Sequence, residues 1–223
     1  MNWRDIDTVL LDMDGTLLDL HFDNFFWLHH LPRRYSEIND ISIELASQRL
    51  NDRYEEIRGS LDWYCLDYWR EQLQLDIVAL KREIFHLIAV RPHVEAFLAA
   101  LQTQGKQVIL VTNAHRDSLE LKMEKIDLRP WFNALVVSHD YRQPKESQAF
   151  WQQLQAEHSF DAERTLFVDD TEAILASAER FGIGHLLTLS QPDSQAALRQ
   201  GLRYPQIHHF DEIMPVLPAS TAR

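Results

Sequence analysis

A lone cysteine, Cys65, and only six glycines set the first limits on this 223-residue chain. One cysteine excludes an internal disulfide and a CxxC metal pair, and it suits a reducing compartment. Within WYCLDYW it reads as a small buried hydrophobe. The scarcity of glycine goes with the absence of any GxxxxGKS or GxGxxG turn, so there is no glycine-rich cradle for phosphate, and no GxSxG elbow presents a serine nucleophile. Positive charge is also short: 22 Lys and Arg stand against 34 Asp and Glu, a formal net charge of −12. That balance argues against a broad nucleic-acid surface, and an anionic small molecule would need local cations to draw it in against the field. No apolar run reaches about 18 residues, and acids precede the short apolar run after MNWRDID. Neither a membrane span nor a signal peptide is indicated, and a cytoplasmic location is expected.

What is present is a rhythm. Apolar runs of strand length occur at Thr8 to Met13, Gln107 to Thr112, Ala134 to Ser138, Thr165 to Val168 and His185 to Leu189. Between the later ones lie amphipathic segments, Pro92 to Gln104, Asp117 to Ile126, Lys145 to Ala156 and Thr171 to Phe181. Strands alternating with helices predict an α/β fold on a parallel sheet. Pro92 suits a first helical turn, Gly105 and Gly182 suit helix C-terminal caps, and Thr171 suits an N-cap.

Residues 20–90 break this rhythm, with helical periodicity and no convincing strand. An inserted helical subdomain is expected there, leaving 1–19 and 91–223 as the catalytic core. Phe22, Phe25, Phe26, Trp27, Tyr35, Tyr54, Trp63, Tyr64, Tyr68, Trp69 and Phe85 all fall in the insert. A helical layer this small needs large side chains to bury enough area, so most of them are expected in its core. Arg33, Arg34, Arg53 and Arg58 read as a solvated helix face, and His29, His30, His208 and His209 as surface residues, because adjacent helical positions face different ways. Asp23, Asn24 and Trp27 follow the first strand closely and are candidates for a hinge and substrate pocket. PVLPASTAR reads as a frayed tail.

The chemistry is concentrated at strand ends. VLLDMDGTLLD puts Asp12 and Asp14 two positions apart where the first strand stops, and two carboxylates about 4 Å apart repel by roughly 4 kcal/mol at an effective dielectric near 20. A cation or a proton must offset that. In an open parallel sheet, ligands bind beyond the carboxyl ends of the strands. There the second strand ends in Thr112 and Asn113, the fourth in Asp169 and Asp170, and Lys145 opens the helix after the third. Four carboxylates, a hydroxyl, an amide and an ammonium on one rim suit a magnesium ion and a phosphate.

In this order, VLLDMDGTLLD, VILVTN, the lysine of QPKES and LFVDDTEA resemble the four motifs of the haloacid dehalogenase-like phosphohydrolases. The resemblance implies a Rossmann-like three-layer core and makes the helical insert a C1-type cap. It also implies that Asp12 is the nucleophile, forming an aspartyl-phosphate, with Asp14 as general acid and base. Mg2+ would be held by Asp12, the backbone carbonyl of Asp14 and Asp170, with Asp169 bound through water or orienting the site. Thr112, Asn113 and Lys145 would hold the phosphate. One departure stands out: family members often carry proline after the motif lysine, whereas here Pro144 precedes Lys145 and Glu146 follows.

Inside the insert, FDN, LDWYCLDYW, EQL and LDI, with TNAH and ERTLFVDD in the core, are similar to the family's bacterial nucleotidases acting on GMP and IMP. That likeness implies a small-molecule purine nucleoside 5′-monophosphate as substrate. A sugar phosphate or phosphoglycolate would use the same catalytic residues and stays open as the alternative. Carbon–halogen cleavage needs no acid for an alkoxide, which Asp14 would supply. A phospho-acceptor receiver orders its acids, threonine and lysine differently.

Overall fold

The computed structural model describes residues 1–215. The tail beginning at Pro215 lies almost wholly outside the described residues. A six-stranded sheet forms the centre, in the order β3-β2-β1-β4-β5-β6 with every neighbouring pair parallel. The strands are β1 (Thr8–Leu11), β2 (Gln107–Thr112), β3 (Ala134–Val137), β4 (Thr165–Val168), β5 (His185–Leu189) and β6 (Gln206–Ile207). β6, only two residues long, has no pattern long enough to read from sequence. β1 pairs with β2 on one side and β4 on the other, Leu11 lying opposite both Leu110 and Val168. Strands covered on both faces read as continuous apolar runs rather than alternating ones.

Successive side chains of a strand point to opposite faces, and here they feed two cores. Leu10, Ile109, Val111 and Phe167 meet Phe150, Trp151, Leu154 and Leu175 from α9 (Gln148–His158) and α10 (Glu172–Phe181). Val9, Leu11, Val108 and Leu110 meet Phe97, Leu101, Leu119 and Met123 from α7 (Val94–Thr103) and α8 (Arg116–Lys125). Helix, sheet and helix make the three layers expected of this α/β fold.

Between β1 and β2 lie helices α1 (His21–Phe25), α2 (Leu31–Asn39), α3 (Ile43–Ile57), α4 (Leu61–Tyr64), α5 (Leu66–Leu73) and α6 (Ile77–Glu83), with no strand longer than a single bridge. A π-helical turn, Phe26–His30, joins α1 to α2. Pro32 lacks the N–H that an α-turn there would use, and Leu31 N–H reaches back to Phe26 O instead. Trp69 sits at the centre of the insert, its ring 5.2 Å from Tyr54, 5.6 Å from Trp27 and 5.3 Å from Tyr68. Phe22, Phe26, Leu50 and Trp69 belong to the same apolar cluster as β1 and α8, so the insert packs directly on the core.

Several local expectations are corrected. Pro92 is not in the first helical turn: α7 starts at Val94, after His93 at φ 65°. Lys145 does not open α9, which begins at Gln148 and is capped by Ser147 Oγ accepting from Ala149 N–H. Thr171 stands at the N-cap of α10 but its side chain makes no cap; Asp169 Oδ1 accepts from Thr171 N–H instead. His30 is buried against Glu83, at 2.9 Å, rather than on the surface. Among the described residues no helix is long and apolar enough to cross a membrane.

Candidate active site

All five loops that leave the sheet at its carboxyl edge converge beyond the end of β1, and the polar residues read from the sequence gather there. β1 stops at Leu11, so Asp12 already leaves the sheet, its N–H still tied to Val168 O at 3.0 Å. The chain then folds tightly on itself, Gly15 N–H donating to Leu18 O at 2.8 Å. Gly15 is required here: its φ is 82°, and a Cβ would lie 2.8 Å from Cγ and Oδ2 of Asp170.

Lys145 is the hub. Its buried ammonium donates to Asp12 Oδ1 at 2.5 Å, Asp169 Oδ2 at 2.7 Å and Val111 O at 3.1 Å. Burial alone would lower its pKa, but the two carboxylates outweigh that and raise it, so it stays charged. The segment carrying it is fixed by Asn113, whose Oδ1 accepts from Lys145 N–H at 3.0 Å while its Nδ2 donates to Glu146 Oε2 at 3.0 Å. Tyr64 of the insert donates to the other Glu146 oxygen at 2.9 Å. Both ends of the Asn113 side chain are thus engaged by protein. Thr112 Oγ1 accepts from Ala114 N–H at 3.0 Å, which leaves its hydroxyl hydrogen for a ligand.

Asp12, Asp169 and Asp170 each offer an oxygen within 4.8 Å of the others. Their surroundings differ. Asp169 is spent on Lys145 and on Thr171 N–H, whereas among the described residues the Asp170 carboxyl accepts only from the Thr171 hydroxyl, at 3.3 Å; Arg199 holds its backbone oxygen at 2.6 Å. Burial, with Asp169 and Asp12 beside it, pushes the Asp170 pKa well up. Burial also pushes Asp12 up to about 6, Lys145 opposing the shift and Asp169 adding to it. One ammonium does not neutralise three acids, and a hard divalent cation at this point fits an all-oxygen donor set.

Asp14 stands apart from that trio. Its Oδ1 is paired with Lys122 Nζ at 2.6 Å, and burial pushes its pKa up to about 6 against the pull of Lys122. Lys122 also donates to Asp23 at 2.7 Å, and Asp23 accepts from Lys81 at 2.8 Å. The two buried lysines were missed by sequence reasoning. A signal existed for one: Lys122 lies three residues after Leu119, on the apolar side of α8. Trp27, a pocket candidate, packs against Trp69, and Arg33 and Arg58 pair along exposed helix faces, as their solvated reading requires.

Residues 6–182 match the family model of hydrolases described as haloacid dehalogenase-like. The chain belongs to the haloacid dehalogenase-like hydrolases. This hydrolase is 43% identical over 215 residues to the GMP/IMP nucleotidase YrfG of Escherichia coli strain K12, a match covering 96% of this chain and 97% of that one. Its fold is shared with a HAD phosphatase from Thermococcus onnurineus, at 19% identity and TM-score 0.76, over 93% of this chain and 96% of that one. A HAD family enzyme from Bacteroides thetaiotaomicron, solved with magnesium and inorganic phosphate, aligns at 14% identity and TM-score 0.60, over 86% and 97% of the two chains. At these identities the two structures speak for the fold alone.

Proposed function

We propose that this hydrolase is a cytoplasmic, magnesium-dependent 5′-nucleotidase that converts GMP and IMP to nucleoside and phosphate, with residues 20–90 as a cap over the catalytic core. The observation that carries the substrate is the 43% identity to a GMP/IMP nucleotidase, which covers 96% of the chain and therefore runs through the insert. The chemistry rests on the Asp12, Lys145, Asp169 and Asp170 cluster.

Asp12, Asp170 and the backbone carbonyl of Asp14 would hold Mg2+, Asp169 being the orienting acid, since its oxygens already serve Lys145 and Thr171. Bound there, the cation would draw charge from the phosphoryl oxygens and hold Asp12 ionised. Lys145 and the Thr112 hydroxyl bind the phosphate and stabilise the charge that builds on it. An Asp12 oxygen then attacks phosphorus as the P–O5′ bond breaks, and Asp14, carrying a proton, delivers it to O5′. In the second half, Asp14 takes a proton from water, the water oxygen attacks phosphorus, and inorganic phosphate leaves Asp12 as a free carboxylate. Asn113 keeps the Lys145–Glu146 segment in register.

A 6-oxopurine offers an acceptor and a ring N–H donor, and AMP reverses that polarity, so a pocket matched to the first leaves buried groups unpaired with the second. The test is phosphate release from a panel of GMP, IMP, AMP, glucose 6-phosphate and phosphoglycolate, with magnesium and with a chelator. GMP and IMP should lead, and only with magnesium. Equal or better turnover of the sugar phosphate or phosphoglycolate would replace the nucleotidase reading with the alternative.

A further inference from the structure

Outside the catalytic cluster, two fully buried lysines and two largely buried aspartates form one alternating chain, Asp14, Lys122, Asp23 and Lys81, with successive contacts of 2.6, 2.7 and 2.8 Å. It crosses three parts of the fold. Asp14 is on the catalytic loop, Lys122 on core helix α8, and Asp23 and Lys81 on insert helices α1 and α6. Both lysines are 1% exposed. Lys81 Nζ also lies over the rings of Phe22, Phe26 and Trp27, 5.0, 4.7 and 5.5 Å from their centroids.

Stability is a poor explanation for such an arrangement. Taking two ammoniums and most of two carboxylates out of water costs hydration that their contacts need not return, and hydrocarbon side chains of similar volume often join helices at least as well. The two lysines have almost no contact with solvent, and Asp23 keeps only 16% of its side-chain surface exposed. Asp14 is the member that borders the catalytic cluster, and among the described residues the cation paired with its Oδ1 is Lys122, at 2.6 Å. What keeps that ammonium beside Asp14 is its second partner, Asp23, and Asp23 is anchored in turn by Lys81.

We propose that Asp23 and Lys81 are positioning residues through which the docked insert aims Asp14 at the leaving group. Asp23 holds Lys122, Lys122 turns the Asp14 carboxyl away from Asp12, Asp169 and Asp170, and the proton donor is in place only while the insert is seated. The inference rests on the acid role given to Asp14 above, and it adds that two residues of the insert control that role without touching substrate.

The test separates substrates by leaving group. GMP releases an alkoxide that must be protonated, whereas p-nitrophenyl phosphate releases a phenolate that needs no proton. Asp23→Asn is the direct variant; Asp23→Asn/Lys81→Met removes one charge of each sign at similar volume, so no lone buried charge threatens the fold. The readout is release of guanosine or p-nitrophenol in the first turnover, by rapid quench on magnesium-loaded protein. Guanosine release should fall at least tenfold in both variants, with p-nitrophenol release within threefold of wild type. Equal losses on the two substrates, or no loss on GMP, would overturn the proposal. Should wild type prefer glucose 6-phosphate to GMP, the sugar phosphate serves as the alkoxide substrate. The nucleotidase reading then fails in the wild type, while this inference is judged on the variants.

Discussion

Replacing Lys145 by methionine keeps most of the side-chain volume and removes the one ammonium that Asp12 and Asp169 share at 2.5 and 2.7 Å. Three carboxylates then remain within 4.8 Å of one another, and at such spacing each pair of ionised acids repels by about 4 kcal/mol at an effective dielectric near 20. Removing one partner of a buried ion pair costs about 3–5 kcal/mol. For a chain of about 200 residues, where each kcal/mol moves Tm by roughly 2–4 °C, a drop of about 10 °C is expected in chelator. Magnesium should return much of it, because a dication among the same acids offsets the same repulsion. Lost packing is equal in both conditions, so the difference between them isolates the electrostatic part. Turnover with magnesium should fall about 100- to 1000-fold, the scale for losing one donor aimed at developing charge. Thermal unfolding with and without magnesium, together with kcat for GMP, measures all of this. The reasoning is refuted if Tm in chelator is unchanged, or if the loss is the same with and without magnesium.

Other outcomes follow from the same geometry. Asp170→Asn should weaken magnesium binding at least tenfold by calorimetry, whereas Asp169→Asn should hurt kcat more than metal affinity, since it strips partners from Lys145 and Thr171; the reverse order would contradict the assignment. Burial pushes both Asp12 and Asp14 up to about 6. The metal-free fold therefore binds more protons than the unfolded chain between about pH 4 and pH 6, and their contribution to stability is lost as pH rises through about 6. Asp23 has the opposite sign: burial would raise it, but Lys122 and Lys81 bring it down to about 2, so its contribution is present above about pH 4 and fades below. The Tm gain from magnesium should accordingly be larger near pH 7.5 than near pH 5.5, and a flat or reversed dependence would count against the acidic cluster as the metal site. Trp69→Ala should cost about 3–5 kcal/mol by denaturant unfolding, because it empties the centre of the insert; a cost under about 1 kcal/mol would mean that the aromatic cluster is not the insert's core.

Much of this was legible in the chain because each element obeys its own local rule. The five longer strands are apolar on both faces, so they stand out as uninterrupted runs, and the helices between them carry a 3.6-residue period. Asp12, Thr112, Lys145, Asp169 and Asp170 follow or end such runs, and strand ends at one edge of a parallel sheet must meet in space. What stayed hidden depends on tertiary contact. Lys81 reads as an ordinary helix lysine, Lys122 shows only its place on the apolar side of α8 and not its acidic partners, and His30 reads as exposed until Glu83 reaches it. The Asn113 amide reads as a phosphate donor, and that it also braces the Lys145–Glu146 segment through Lys145 N–H and Glu146 appears only in the fold. The start of α9 was misplaced because Pro144 and Lys145 resemble a helix opening, while the cap is Ser147.

Acid quench of protein mixed with 32P-labelled GMP and magnesium tests the covalent role of Asp12 most directly. The account predicts a hydroxylamine-sensitive label that peptide mapping places on Asp12, and none on Asp12→Asn. A label on another residue, or full turnover by Asp12→Asn, would contradict it.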